Sequence, residues 1–370
     1  NPDILLLDEP TNGLDVATIS WLEDFLADYD KIVIVVSHDR HFLNQVCTQM
    51  CDVDFGKIKM YVGNYDFWLQ SSRLAAQMRA DANAKKEEKI KELNDFIARF
   101  SANASKSKQA TSRKKQLEKI TLDDIKPSSR KYPFVKFESQ RDLGNDLLRV
   151  ENVSKTIDGV KILDNINFTI RPGEKAAILS RSDLAQTTMM QILAGTIKPD
   201  TGTVKYGQTV ITSSLPRDLD ANFNNEELSI LDWLRQYATK EQNDNTFLRG
   251  FLGKMLFSGD DIQKQIKVLS GGEKVRCMLS KMMLEQGNTL LLDDPTNHLD
   301  LESITSLNDA LVSFNGSVIF TSHDHEFIST IADHLVEISD NGSIDRAETT
   351  YDEFLAHEIV QQQVAKLYEK

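Results

Sequence analysis

Short apolar runs alternate along this chain with longer stretches in which apolar residues recur every three or four positions. ILLL at 4–7 and IVIVV at 32–36 are strand-sized and show no polar alternation, as a strand covered on both faces reads. Between them, Ile19, Leu22, Phe25 and Leu26 mark one face of a helix. LLRVENV and INFTI read as strands, Pro172-Gly173-Glu174 as a turn, and KAAIL at 175–179 as a further buried strand. A helical stretch over about 226–285, strands at 289–292 and 318–321, and a last helix over about 351–368 complete the pattern. Such alternation predicts an α/β fold with parallel strands.

Residues 71–122 break this rhythm. They contain no Pro or Gly and are rich in Ala, Lys, Glu and Gln, which favours helix. Ile90, Leu93, Ile97 and Phe100 form a seam for a facing helix. The pattern stops at 100–109 and resumes toward Leu117 and Ile120, so an antiparallel helical hairpin with its tip near 101–107 is expected. Pro127 and Pro133 end the region.

One string is written twice. LLLDEPTNGLD at 5–15 returns as LLLDDPTNHLD at 290–300, and Ser-His-Asp follows at 37–39 and at 322–324. The offset is 285 residues from Asp8 to Asp293 and again from His38 to His323. Fixed-offset similarity means a duplicated domain. An apolar strand ending in paired acids presents carboxylates at its C-terminal end, where open α/β sheets bind ligands. The chemistry fits nucleoside triphosphate hydrolysis. Asp8 and Asp293 suit holding Mg²⁺ through its water shell. Glu9 suits orienting or deprotonating the attacking water, with Asp294 at the same place in the second copy. His38 and His323 would sense the γ-phosphate.

Composition adds compartment and partners. The longest apolar runs are far too short to span a bilayer, and no signal segment is seen. Three cysteines, Cys47, Cys51 and Cys277, do not make a disulfide framework; Cys47 and Cys51, four apart, read as buried thiols of a helix. The cytoplasm is the expected location. The net charge of −13 argues against nucleic acid, but it is unevenly spread. Ser71 to Lys131 carries 16 Lys/Arg against 8 Asp/Glu, so the rest is strongly acidic. Near the hairpin tip Arg99, Lys106, Lys108, Arg113, Lys114, Lys115 and Lys119 face only one acid, Glu118. A solvated charged hairpin is the plain reading of such an insert, and an RNA-binding one the functional reading.

With LSGGE at 269–273 beside the two repeated strings, the chain resembles the ATP-binding cassette superfamily, and the PTN after the acids and the basic linker make it similar to the ABC-F branch. The resemblance covers essentially the whole chain. It implies P-loop NTPase-like ABC nucleotide-binding domains joined by an α-helical hairpin linker. The expected divisions are the end of a first cassette at 1–70, the linker at 71–131, a second cassette at 145–348 and a C-terminal helix at 349–370. The chain has no starting Met, and a first cassette of this family carries a phosphate loop and a signature upstream of Asn1. A C-terminal part of a longer protein is therefore expected.

The resemblance also assigns residues. After KAAIL the family has a Gly-rich loop with a Lys; here Ser180, Arg181, Ser182, Asp183, Leu184, Ala185, Gln186 and Thr187 stand in its place. Ser180, Asp183 and Ala185 replace the glycines, whose lack of a side chain lets backbone N–H groups wrap phosphates, and Gln186 replaces the Lys. Thr187 keeps the Mg²⁺-side hydroxyl, with Thr188 next to it. Ile157 stands where an adenine-stacking aromatic is usual, and Arg217 where a glutamine is. This loop is expected to be silent. The signature residues Ser270, Gly271, Gly272 and Glu273 are intact and would serve the opposite site of a head-to-tail cassette pair, contacting nucleotide from a helix N-terminus. One composite site would then use Asp8, Glu9 and His38 with Ser270–Glu273, and Asp15 and Asp300 would couple it to the second. ATP and Mg²⁺ are the implied cofactors. The implied partners are the ribosome (rRNA, with tRNA nearby), met by the linker, and the other cassette within the intact protein; no membrane is implied. The implied role is translation factor, against the alternatives of a membrane-transporter ATPase subunit or a non-catalytic scaffold. The chain alone is expected to be inactive.

Overall fold

The computed structural model describes residues 2–356 apart from 12, 13, 15, 55, 101–113, 116, 118–129, 224, 226, 340, 348 and 349. Residues Asn1–His41 and Lys131–Lys370 form one compact unit and Phe42–Arg130 another.

In the larger unit, β1 (Ile4–Asp8) and β2 (Ile32–Val36) run parallel on either side of α1 (Val16–Ala27), and α2 (Arg40–Val46) follows. The second copy of the repeat lies in a six-stranded sheet. Its strands are β7 (Lys175–Leu179), β9 (Thr212–Leu215), β10 (Thr289–Asp293), β11 (Ser317–Thr321), β12 (His334–Ser339) and β13 (Gly342–Ala347). They lie in the order β13-β12-β7-β11-β10-β9, all parallel except the β13 edge. A smaller antiparallel sheet pairs β5 (Leu148–Ile157) with both β6 (Val160–Ile170) and β8 (Thr201–Tyr206).

The uninterrupted apolar runs follow from this layering. Leu290 and Leu292 face one core, built with α7 (Gly271–Glu285) and α8 (Leu301–Ser313) through Leu279, Met282, Leu307 and Leu311. Leu291 faces a second core, where Met189 and Ile192 of α4 (Asp183–Leu193) meet Val150 and Phe168 of the small sheet. A strand with cores on both faces has no polar side to show. Helices α5 (Ile230–Arg235), α6 (Asn245–Lys254), α9 (His325–Ile331) and α10 (Tyr351–Ala356) complete the unit. The remainder of the last helix expected from the sequence lies outside the described residues.

The duplication extends to register. Ile4 pairs with Ile32 through Asp8 with Val36, and Thr289 with Ser317 through Asp293 with Thr321, at the same offset. Burial is not duplicated. The five residues of β10 are all buried, whereas Ile4, Leu6, Ile32, Ile34 and Val36 are exposed, Leu6 by 70%. The expectation of a buried first strand is therefore corrected: among the described residues β1 pairs with β2 alone, and no neighbour covers that face.

In the smaller unit, β3 (Gln49–Asp54) and β4 (Lys57–Val62) form an antiparallel hairpin that leads into the 36-residue helix α3 (Tyr65–Phe100). The helix begins at Tyr65 rather than 71, because Asn64 Oδ1 accepts the Phe67 amide at 3.2 Å and Asn44 Oδ1 accepts that of Asp66 at 3.0 Å. Leu93 of the predicted seam is buried. Arg130 reaches back to this unit, 2.7 Å from Asp52 and 4.6 Å from the Trp68 ring centre. Cys51 is not a buried helical thiol: it lies exposed on β3, because α2 stops at Val46. Lys114 and Lys115 are helical and exposed. Lys106, Lys108, Arg113 and Lys119, and with them the hairpin tip, lie outside the described residues, as does the side chain of Arg99.

Candidate functional site

Each copy of the repeat ends its strand in a strained turn that aims a carboxylate at one cleft. Glu9 and Asp294 both adopt left-handed backbone conformations, with φ of 45° and 49°. Both keep a backbone bond to the neighbouring strand, Glu9 N–H to Val36 O at 2.7 Å and Asp294 N–H to Thr321 O at 3.2 Å. Left-handed φ is uncommon for residues other than glycine, and its recurrence at the corresponding acid fits a functional site. Glu9 Oε2 accepts the His38 amide at 3.2 Å, and its Oε1 lies 3.4 Å from His38 Nε2.

The signature opens α7. Ser270 is the N-cap; its hydroxyl accepts the Glu273 amide at 3.3 Å, while Glu273 Oε2 accepts the Ser270 amide at 2.8 Å and its hydroxyl at 2.9 Å. This capping box engages the Ser270 hydroxyl and the Glu273 amide, so the amides of Gly271 and Gly272 are the donors of the first turn of α7 that a ligand can meet. Burial would raise the Glu273 carboxyl, but the Ser270 donors and Lys264 hold it below its ordinary value. Gly271 and Gly272 sit where a side chain could not: a Cβ on Gly271 would stand 2.9 Å from the His298 ring, and one on Gly272 2.7 Å from the His298 carbonyl oxygen.

These parts line one cleft of about 780 Å³. Glu9 and His38 come from the first copy, Ser270–Gly272 from α7, and Asp294, Asp300 and His323 from the second copy. Asp300 also caps α8 through the Ser303 amide at 2.9 Å. Asp15 lies outside the described residues. Arg276, Asp39 and His298 line the cleft too and were missed in the sequence. Arg276 could have been found, since it follows the signature by about one helical turn. Asp8 and Asp293 are not among the lining residues; Asp293 is buried and Asp8 exposed. Burial pushes the Asp293 carboxyl up, against the 2.8 Å hydrogen bond donated by Thr321.

The loop after β7 is assembled differently. Ser182 caps α4, accepting the Ala185 amide at 3.3 Å. Gln186, in the place of the lysine, is buried and donates its Nε2 to the Ser180 carbonyl at 3.3 Å. Thr188 is buried and Thr187 half-buried along α4. Asp183 points its carboxylate at Arg217 Nη2 (2.7 Å) and lies 3.2 Å from His323 Nε2. Arg217 is also 3.8 Å from Asp294. Burial raises the Asp294 carboxyl, with His323 and Arg217 opposing and Asp183 adding to the rise. A Gly-rich phosphate cradle with its lysine is absent from residues 180–187, and an acid stands in it, so this half-site does not fit ATP. Around the cleft that holds Glu9, a helix N-terminus, a carboxylate held by His38 and that histidine do fit a nucleotide's terminal phosphate.

Two family models, both described as ABC transporter, match residues 51–137, as an extension, and 163–297. The ABC transporter ATP-binding protein YkpA of Bacillus subtilis is 59% identical over 367 residues, 99% of this chain and 68% of the relative. ABC transporter F family member 2 of Arabidopsis thaliana is 33% identical over 349 residues, 94% of this chain and 51% of the relative. The chain belongs to the ABC-F family of ATP-binding cassette proteins. YbiT of Escherichia coli O157:H7 is a further relative, 46% identical over 345 residues, 93% of this chain and 65% of YbiT. The chain thus spans between about half and two thirds of the length of these relatives. As an ABC-F protein it has the mixed α/β ATP-binding cassette fold. Among the described residues no helix is long and apolar enough to cross a membrane.

Proposed function

We propose that this chain belongs to a cytoplasmic tandem-cassette ATPase that acts on the ribosome as a translation factor and hydrolyses ATP at one composite site. The reading is carried by one observation: Glu9 and His38 of the first repeat line the same cleft as Ser270, Gly271 and Gly272 at the start of α7. Bound ATP with Mg²⁺ would supply the phosphoryl group lost to water. Asp8 would hold the ion through its waters. Glu9 positions and deprotonates the attacking water, and its contact with His38 keeps that carboxylate turned into the cleft. Ser270 and the first amides of α7 hold the terminal phosphate from the opposite side. Asp15 and Asp300 link this site to the second half-site, which takes no part in turnover.

The basic linker supports the ribosomal role, since α3 and Lys114–Lys115 present solvated cations to RNA phosphates. The segment SANASKSKQATSRKK has no aromatic residue, so it reads backbone charge and shape rather than stacked bases. If about five cations meet phosphates, the log–log salt slope of binding is on the order of −3 to −4. Ribosome pelleting of the ATP-trapped intact protein across a salt series tests this. Replacing Lys106, Lys108, Arg113, Lys114 and Lys115 by Gln should flatten the slope and weaken binding without loss of helix. Superimposed curves would leave the hairpin as a solvated spacer and remove the RNA contact.

A further inference from the structure

Three loops at the C-terminal ends of parallel strands converge on one carboxylate. Asp183 opens α4 just after β7, Arg217 follows β9, and His323 follows β11. Open α/β sheets bind anionic ligands at this end, where a helix N-terminus and side chains from adjoining loops meet. Here the anion belongs to the protein. Arg217 Nη2 donates to Asp183 Oδ2 at 2.7 Å, and His323 Nε2 lies 3.2 Å from Oδ1, so each carboxylate oxygen faces its own nitrogen. Gln186 turns onto the Ser180 carbonyl instead of into the space. Asp294 lies 3.8 Å from the guanidinium, and Asp293 acts on it as well.

We propose that Asp183 is a resident phosphate surrogate: its carboxylate occupies the terminal-phosphate position of the second half-site and engages Arg217 without nucleotide, while the buried His323 Nε2 beside it makes no hydrogen bond and stays open to a better-placed acceptor. The inference rests on reading 180–187 as a former phosphate loop and deepens the silence assigned to that half-site. It accounts together for the acid in the loop, the arginine at 217 and the histidine retained at 323. Taken singly these are departures from a nucleotide site; taken together they place the Asp183–Arg217 ion pair beside His323. Removing the negative charge would leave Arg217, His323 and the start of α4 around a vacancy, and that vacancy is a site for inorganic phosphate.

The test is a thermal melt of this chain in a phosphate series at constant ionic strength, for wild type, Asp183→Asn and Asp183→Asn/Arg217→Gln. Wild type should respond no more than the double variant, since the cleft at the start of α7 is common to all three. Asp183→Asn should melt lower without phosphate and rise saturably with it, by about 2 °C at ten times Kd, where the folding equilibrium shifts about 11-fold. The double variant should lose that rise. A flat Asp183→Asn curve, or a wild-type rise as steep as the variant's, overturns the proposal. If Asp183→Asn does not fold, nucleotide trapped by the intact Glu9→Gln protein decides: one nucleotide per chain supports a filled second half-site, and two overturns it. No trapped nucleotide would overturn the composite-site reading instead, and a melt of this chain in an ATP series then judges Asp183: no rise that depends on Arg217 supports a filled half-site, and a saturable rise lost in Arg217→Gln overturns it.

Discussion

Substituting Gly272 by Ala should separate the role of the signature's shape from that of its charge. A Cβ at this position would stand 2.7 Å from the carbonyl oxygen of His298, a backbone atom that cannot swing aside. His298 itself has φ of 67°, so its turn has little freedom to yield. Such overpacking costs about 1–3 kcal/mol. Alanine regains up to about 1 kcal/mol over glycine in a helix, and less in the first turn. The net is a loss of about 1–2 kcal/mol, or roughly 2–8 °C in Tm. Gly250→Ala is the control: it lies inside α6 with nothing within 4 Å of an added Cβ, so the change should be neutral or stabilising by up to about 1 kcal/mol. Urea denaturation of both variants at one pH measures the difference. If Gly272→Ala is as stable as wild type, or the two variants are equally destabilised, the close approach of α7 to the His298 turn is refuted. In the intact protein Gly272→Ala should also slow hydrolysis, because a shift of about 1 Å at a catalytic site can cost about a hundredfold.

In the intact protein, Glu9→Gln should lower turnover by about 10²–10⁴-fold, the range for a positioned general base, while Asp294→Asn should change it little; equal losses measured in the two would contradict the asymmetry. Asp324 is buried near Asp39, and burial followed by that repulsion pushes its carboxyl up to about 6. Because the folded value lies above the unfolded one, this group favours folding most at low pH and that contribution fades between about pH 4 and 6. Asp324→Asn should therefore match wild type below that window and gain at most about 3 kcal/mol above it, with the amide still able to cap α9; urea midpoints across pH read this. His334 is fully buried, with Nδ1 2.9 Å from Glu174 and Nε2 2.6 Å from Asp345. Burial alone would lower its pKa, but hydrogen bonds to Asp345 and Glu174 raise it, so its contribution is complete below the unfolded histidine value and is lost as pH rises through the raised one. His334→Gln should cost about 2–3 kcal/mol near pH 6 and less at high pH; a pH-independent loss in denaturation midpoints would refute the charge assignment.

The repeat, the strands and the signature were legible because each is local: apolar runs, acids and turn residues at set spacings. So was the departure of the phosphate loop. Three things were not. The start of α3 was set too late, since composition placed it at 71 while the decisive signal was the single cap residue Asn64. The burial of β1 was misjudged because the same letters as β10 acquire a different environment from their neighbours in space. The meaning of Asp183 and Arg217 was hidden because they are 34 residues apart and meet only when β7 and β9 lie in one sheet. Each could be marked as a departure from a pattern, but their pairing is a fact of topology.

The length of α3 has a mechanical consequence. At about 1.5 Å of rise per residue, its 36 residues extend about 54 Å. Such a helix is a lever: a tilt of about 5° at Tyr65 carries Phe100 through about 5 Å.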